Sequence, residues 1–149
     1  MRVASAGVPY LLVPLRTKKA LKRIRFRQDI WERTARHWEA PKIAAFTLEA
    51  ERAGSTCKMR VFAPDVGVAE EAATETACGP VVGYLNHYGM VPSDPSQVLV
   101  LEQGAEIERP SYMHVVIERD GKAIRSIRVG GQCVSVGGGT ISVAVAASA

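Results

Sequence analysis

The sequence has 149 residues, of which 47% are hydrophobic, 23% charged and 6% aromatic, with 13 glycines and 8 prolines. That length supports one compact domain with its own core, read as residues 1–149, and the ordinary apolar content excludes disordered and fibrous classes. The formal net charge is only +4, and no apolar run approaches the roughly 20 residues that a membrane-spanning helix needs.

Gly7–Leu15 (GVPYLLVPL) predicts a first strand, with Pro9 and Pro14 near its ends, where ladder donors are dispensable. The same prolines argue against a secretory h-region behind Arg2. A basic segment follows. Arg16, Lys18, Lys19, Lys22, Arg23, Arg25 and Arg27 supply seven positive charges with no acid among them, and taking these from +4 leaves −3 for the rest of the chain. The segment reads as a solvated helix or turn. An anionic polymer is the alternative partner, but only Phe26 adds an aromatic there, so nucleic acid is not expected.

From Asp29, a good N-cap, the spacing of Ile30, Trp31, Thr34, Ala35 and Trp38 predicts a helix to about Glu39. Both tryptophans then fall near one face, as core or interface, and Ala40-Pro41 ends the helix. Lys42–Ala50 and Lys58–Ala63 read as strands of a hairpin around Ala53-Gly54-Ser55, and residues 64–73 as a loop. Thr74–Tyr88 predicts a helix whose apolar residues cover most of its circumference, which implies burial on nearly all sides. Beyond it, Val98–Leu101, Met113–Glu118, Ile124–Val129, Cys133–Val136 and Thr140–Val145 read as strands, punctuated by Asp120-Gly121, Gly130-Gly131 and Gly137–Gly139. The fold class is α+β. A mostly antiparallel sheet must curve around the buried helix, because a flat one covers a single side.

Cys57, Cys78 and Cys133 are far apart and odd in number, which argues for a reducing, cytoplasmic setting and against a disulfide framework. His37, His87 and His114 have no ligand spacing, so no metal is expected.

Gly67–Gly79 (GVAEEAATETACG) carries the candidate site. Small residues at the first turn of a buried helix leave backbone N–H groups open, and the helix dipole suits a carboxylate or phosphate there. Thr74 or Thr76 is placed to cap the turn and offer a hydroxyl. The alternative is a capped structural helix whose small residues serve close packing.

Arg60–Leu85 (RVFAPDVGVAEEAATETACGPVVGYL) resembles the second-lobe signature of the PhzF-like family of phenazine-biosynthesis-type isomerases. That signature ends a strand in R-x-F-x-P, then opens a helix with E-D-P-A-T-G-S-A. Gln103-Gly104 with Arg109-Pro110-Ser111 is similar to the family's Q-G…R-P-S element. Val129-Gly130-Gly131 resembles its closing pattern, and Ala6–Val13 the entry to the second lobe. The resemblance implies one lobe of a diaminopimelate-epimerase-like fold, a barrel-like sheet around a central helix, with the active site between two lobes. It also implies proton transfer on a small carboxylic acid without cofactor, and a homodimer or a separate first-lobe chain to complete the site.

On that resemblance the family Asp falls at Glu71, the expected acid/base. Thr74, Glu75, Thr76 and Ala77 form the substrate-holding turn. The departures are Ala72 for Pro, Thr76 for Ser and, most consequentially, Glu75 for Gly. Two unit charges about 4 Å apart interact by roughly 4 kcal/mol at an effective dielectric of 20, so Glu75 opposes an anionic substrate unless it turns outward. The first-lobe acid/base glutamate has no counterpart in this chain, which leaves a non-catalytic binding relic as the competing reading. Cys78 loosely resembles the thiol-bearing helix start of diaminopimelate epimerase, but reads as core.

Overall fold

The computed structural model describes residues 1–92, 94, 97–121 and 123–143. The chain runs β1 (Arg2–Ser5), β2 (Pro9–Pro14), α1 (Lys18–Lys22), α2 (Gln28–Arg33), β3 (Lys42–Thr47), β4 (Cys57–Ala63), β5 (Val68–Glu71), α3 (Glu75–His87), β6 (Leu99–Gln103), β7 (Ser111–Asp120) and β8 (Ala123–Gly130). The eight strands form one sheet in the order β1-β2-β3-β4-β6-β7-β8, with β5 paired to β4 off that path. Only β2–β3 and β4–β6 are parallel, so the sheet is mostly antiparallel, as its turn chemistry predicts.

Alternation along the strands decides what lies inside. Tyr10 and Leu12 of β2, Ala44 and Phe46 of β3, Met59 and Val61 of β4, and Val115 and Ile117 of β7 all point at α3. The helix answers with Ala77, Cys78, Val81, Val82 and Leu85, each fully buried. It touches β1, β2, β3, β7 and β8, so the sheet curls around it. The remaining flank, at Gly79, Gly83 and Tyr84, looks into a groove between the two edge strands β1 and β8. No described helix is long and apolar enough to cross a membrane.

Three predicted elements differ in the structure. The helix expected over Asp29–Glu39 starts at Gln28, stops at Arg33 and continues only as a 3₁₀ turn over Ala35–His37. Its break lies at Thr34, whose hydroxyl bonds back to the Ile30 carbonyl at 2.8 Å, a local alternative to the helical ladder. Asp29 sits inside the first turn rather than at the cap, paired with Arg27. The tryptophans consequently part company: Trp31 is buried with its indole N–H on the Pro41 carbonyl, and Trp38 is 54% exposed.

The strands expected over Cys133–Val136 and Thr140–Val145 are absent from the described part, residues 144 and 145 lying outside it. Residues 131–143 have no ladder partner, and Val134, Val136, Ile141 and Val143 face solvent. Alternation alone does not make a strand when no neighbouring edge receives its hydrogen bonds. Conversely, β1 and β5 are strands that the pattern does not announce. Each is four residues long and is defined by its pairing, β1 with β2 and β5 with β4.

Candidate active site at the start of the central helix

Strand β5 delivers two adjacent glutamates, and the period of two sends them to opposite faces. Glu70 reaches the outer face. There it takes a bidentate pair from Arg60, both contacts at 2.7 Å, and the same guanidinium donates to the Leu21 and Ile24 carbonyls. Arg60, held by Glu70, therefore clamps the end of α1 and the residues just after it to β4. Glu71, half-buried, pairs across the ladder with Val61 and so falls on the face of the sheet that carries α3. Glu70 and Glu71, adjacent in sequence, are thus divided by the sheet.

Gln103 sets the loop between β5 and α3. It is 1% exposed, and its amide donates to the Glu71 carbonyl and to the Thr74 hydroxyl, both at 2.9 Å. Its carbonyl oxygen accepts the Thr74 backbone N–H at 3.1 Å. One buried amide thereby fixes the residues on either side of Ala72-Ala73. Gly104 follows with φ +82°, and a Cβ placed there would lie 2.2 Å from the Arg109 carbonyl oxygen and 2.6 Å from that of Ala72. The Arg109 N–H returns to the Gly104 carbonyl at 2.9 Å. The Q-G…R-P-S element is accordingly the brace behind the helix start.

At the turn itself, Thr74 occupies the N-cap position, but its hydroxyl is taken by Gln103 and makes no cap bond. The Ala77 N–H closes on the Thr74 carbonyl. Among the described residues, no protein acceptor takes the N–H of Glu75 or Thr76, so two donors at the positive end of α3 stay open. The Thr76 hydroxyl meets the Tyr10 hydroxyl at 2.7 Å. Burial, helped by the Glu71 and Asp65 carboxylates, raises the Tyr10 phenol above its ordinary value, against the opposing effects of Thr76 and Lys42. The phenol stays protonated at neutral pH and is available as a hydrogen-bonding relay. Lys42 and Asp65 form an ion pair beside it.

The five predicted residues are therefore not equivalent. Thr76 touches Tyr10, and Glu71 lies on the same face of the sheet. Thr74 and Ala77 are buried and hold the turn in shape. Glu75 is exposed and lines an adjoining cleft of about 550 Å³ together with Ala73, Ser111, His114 and Gly131. The Cys78 thiol is pushed up to about 12, first by burial and then by Glu75, and its Sγ lies 3.5 Å from the Thr74 carbonyl. A thiol so placed is protonated and packed, not a base. Sequence reasoning missed Tyr10, Lys42 and Asp65. Tyr10 is hidden in an apolar strand, and Lys42 and Asp65 are brought to it only by sheet register and a 3₁₀ turn. Among the described residues no cluster of His, Cys, Asp and Glu has metal-binding geometry.

Comparison with known proteins gives a consistent picture. The profile of the phenazine biosynthesis-like proteins (PhzC-PhzF) matches residues 1–139. An uncharacterised isomerase of Mesorhizobium japonicum is 30% identical over 142 residues, covering 93% of this chain and 47% of that protein. The trans-2,3-dihydro-3-hydroxyanthranilate isomerase of Pseudomonas fluorescens is 38% identical over 90 residues, 60% of this chain and 31% of the enzyme. Among solved structures, a PhzF-family phenazine biosynthesis protein of Bacillus anthracis superposes with a TM-score of 0.69 at 23% identity, over 85% of this chain and 43% of that one. A predicted epimerase of Pseudomonas aeruginosa gives 0.59 at 33% identity, over 87% and 41% respectively. The chain spans about half the length of the relatives it matches over most of its own.

Proposed function

The chain belongs to the phenazine biosynthesis-like family, and on that premise we propose that it supplies one lobe of an isomerase that moves a proton on a small carboxylic acid. The observation that carries this reading is the half-buried Glu71 on the face of the sheet that carries α3, whose start presents two open donors and the Tyr10–Thr76 hydroxyl pair. The open N–H groups of Glu75 and Thr76 hold the substrate carboxylate, with the helix dipole favouring the anion. Glu71 takes or returns the proton, and the Tyr10–Thr76 pair orients the group that receives it. Thr74 and Ala77 act by keeping the turn rigid. No metal or organic cofactor has a part in this scheme.

A single lobe offers one half-buried carboxylate, and the reading needs a facing surface to complete the site. A second copy of this chain is the simplest one, with a separate first-lobe chain as the other source. The exposed Val134, Val136, Ile141 and Val143 supply apolar surface for such a partner. Three free cysteines, two of them buried, suit a reducing compartment, and we place the protein in the cytoplasm.

The second reading, a ligand-binding relic without catalysis, is favoured by one residue. Glu75 brings a negative charge into the first turn and onto the cleft. Deuterium exchange separates the two. Small α-substituted carboxylic acids incubated in heavy water should gain deuterium at the α-carbon with the native protein, and the gain should fall by roughly 100-fold or more in Glu71→Gln. Exchange that survives this substitution would remove Glu71 from the mechanism. Binding without exchange in the native protein would establish the relic.

A further inference from the structure

The outer face of the sheet, opposite α3, carries a second apolar layer that the proposed isomerase site does not use. Leu11 and Val13 of β2, Ile43 and Ala45 of β3, and Phe62 of β4 form its floor, at the positions that alternate with those facing α3. The segment from α1 to the 3₁₀ turn closes over them and leaves a cavity of about 530 Å³. Its walls include Phe26, stacked on Phe62 with ring centroids 5.0 Å apart, together with Trp31 and Trp38. That volume lies within the range of small-molecule sites.

The lining also includes basic residues. Of the seven positive charges between residues 16 and 27, Lys18 and Lys22 are paired with Glu51, and Arg27 with Asp29. Arg23 and Arg25 have no carboxylate partner among the described residues, and both line the cavity, the Arg25 guanidinium resting on the Lys22 and Ile24 carbonyls. The Arg60–Glu70 clamp, through the Leu21 and Ile24 carbonyls, holds this wall in place. An apolar cavity whose lining includes two arginines without a carboxylate partner matches a molecule with an apolar body and one anionic end.

We propose that this cavity is a binding site for an amphipathic monocarboxylate, its chain against Leu11, Val13 and Ile43 and its head group between Arg23 and Arg25. The chemistry distinguishes it from the site at α3, which offers backbone donors to a small polar acid. The basic segment, which the isomerase reading leaves without a role, then has one.

Trp31 and Trp38 are the only tryptophans in the chain, and both line the cavity, so selectively excited tryptophan emission reports on it. Dodecanoate, titrated below its micelle concentration into the full chain, should give a saturable change in tryptophan emission. Arg23→Gln/Arg25→Gln, both at exposed positions, should bind it roughly fivefold to tenfold more weakly, the loss expected of two solvent-accessible charge pairs. Dodecanol should bind the native protein more weakly by a similar factor. Absence of a saturable signal in folded protein overturns the proposal, as does equal affinity for the acid and the alcohol. Emission that changes with protein concentration alone, with no response to dodecanoate, would assign the cavity to a second copy of the chain and overturn it as well.

Discussion

Gly104 shows how one residue without a side chain governs a site it does not enter. Its φ of +82° lies in the left-handed region, which costs an L-residue about 1–2 kcal/mol. A Cβ there would also overlap the carbonyl oxygens of Arg109 and Ala72, the latter next to Glu71. Gly54 in the β3–β4 turn has a similar φ of +87° with nothing within 4 Å of the added Cβ. Gly54→Ala should therefore lose about 1 kcal/mol, and Gly104→Ala at least about 2 kcal/mol more, measured as the shift in urea midpoint at constant slope. Only Gly104→Ala should also reduce the deuterium exchange assigned to Glu71, since making room for the methyl displaces Ala72. Equal losses in the two variants would mean that the loop absorbs the methyl and that the brace behind the helix start is soft.

At the scale of elements, legibility followed burial. The central helix was readable to within a residue at each end, because its apolar circumference has one physical explanation and Gly89 with Pro92 follows it. The strands read as Lys42–Ala50, Met113–Glu118 and Ile124–Val129, from alternation and from the Asp120-Gly121 turn, correspond to Lys42–Thr47, Ser111–Asp120 and Ala123–Gly130. The four-residue strands β1 and β5 were not, since their hydrogen bonds come from partners distant in space rather than from their own pattern. Within the candidate site, the motif located Glu71 and the Thr74–Ala77 turn. It was silent on Tyr10, which meets the helix start through its hydroxyl contact with Thr76, 66 residues away in sequence.

One contact between elements has a pH signature. Glu51, in the β3–β4 connection, accepts from Lys22 and Lys18 of α1 and from the buried Lys58 of β4. Lys22 first, then Lys58, hold its carboxyl down at about 2, against an ordinary value of 4.5. A depressed carboxyl stabilises the fold fully above its unfolded value and loses that contribution as the pH falls towards the folded one. Thermal melts should show the native protein more stable than Glu51→Gln at pH 6, with the gap narrowing between about pH 4.5 and pH 2. A gap that stays constant across this window would detach Glu51 from the acid sensitivity of the α1 docking.

For the molecule as a whole, the question is what faces the start of α3. The site gathers one half-buried carboxylate, two open donors and a hydroxyl pair, and its cleft lies beside β7, near the point where residues 131–143 leave the sheet unpaired. Apolar side chains at 77% to 98% exposure on that segment are costly in water and gain when a partner covers them. An interface of ordinary size takes about 800 Å² from each partner, a small part of the 9720 Å² this chain presents. The homodimer reading therefore predicts sedimentation of a species twice the 16.1-kDa chain, dissociating on dilution. A chain truncated after Gly131 should shift towards the monomer while keeping its far-ultraviolet dichroism, because no described strand lies beyond Gly130. A monomer at every concentration would exclude the second copy as the facing surface. The deuterium exchange of Glu71 would then have to appear only when a separate first-lobe chain is added. Exchange by an undisturbed monomer would show that one lobe suffices, and that the open end of α3 is already a complete site.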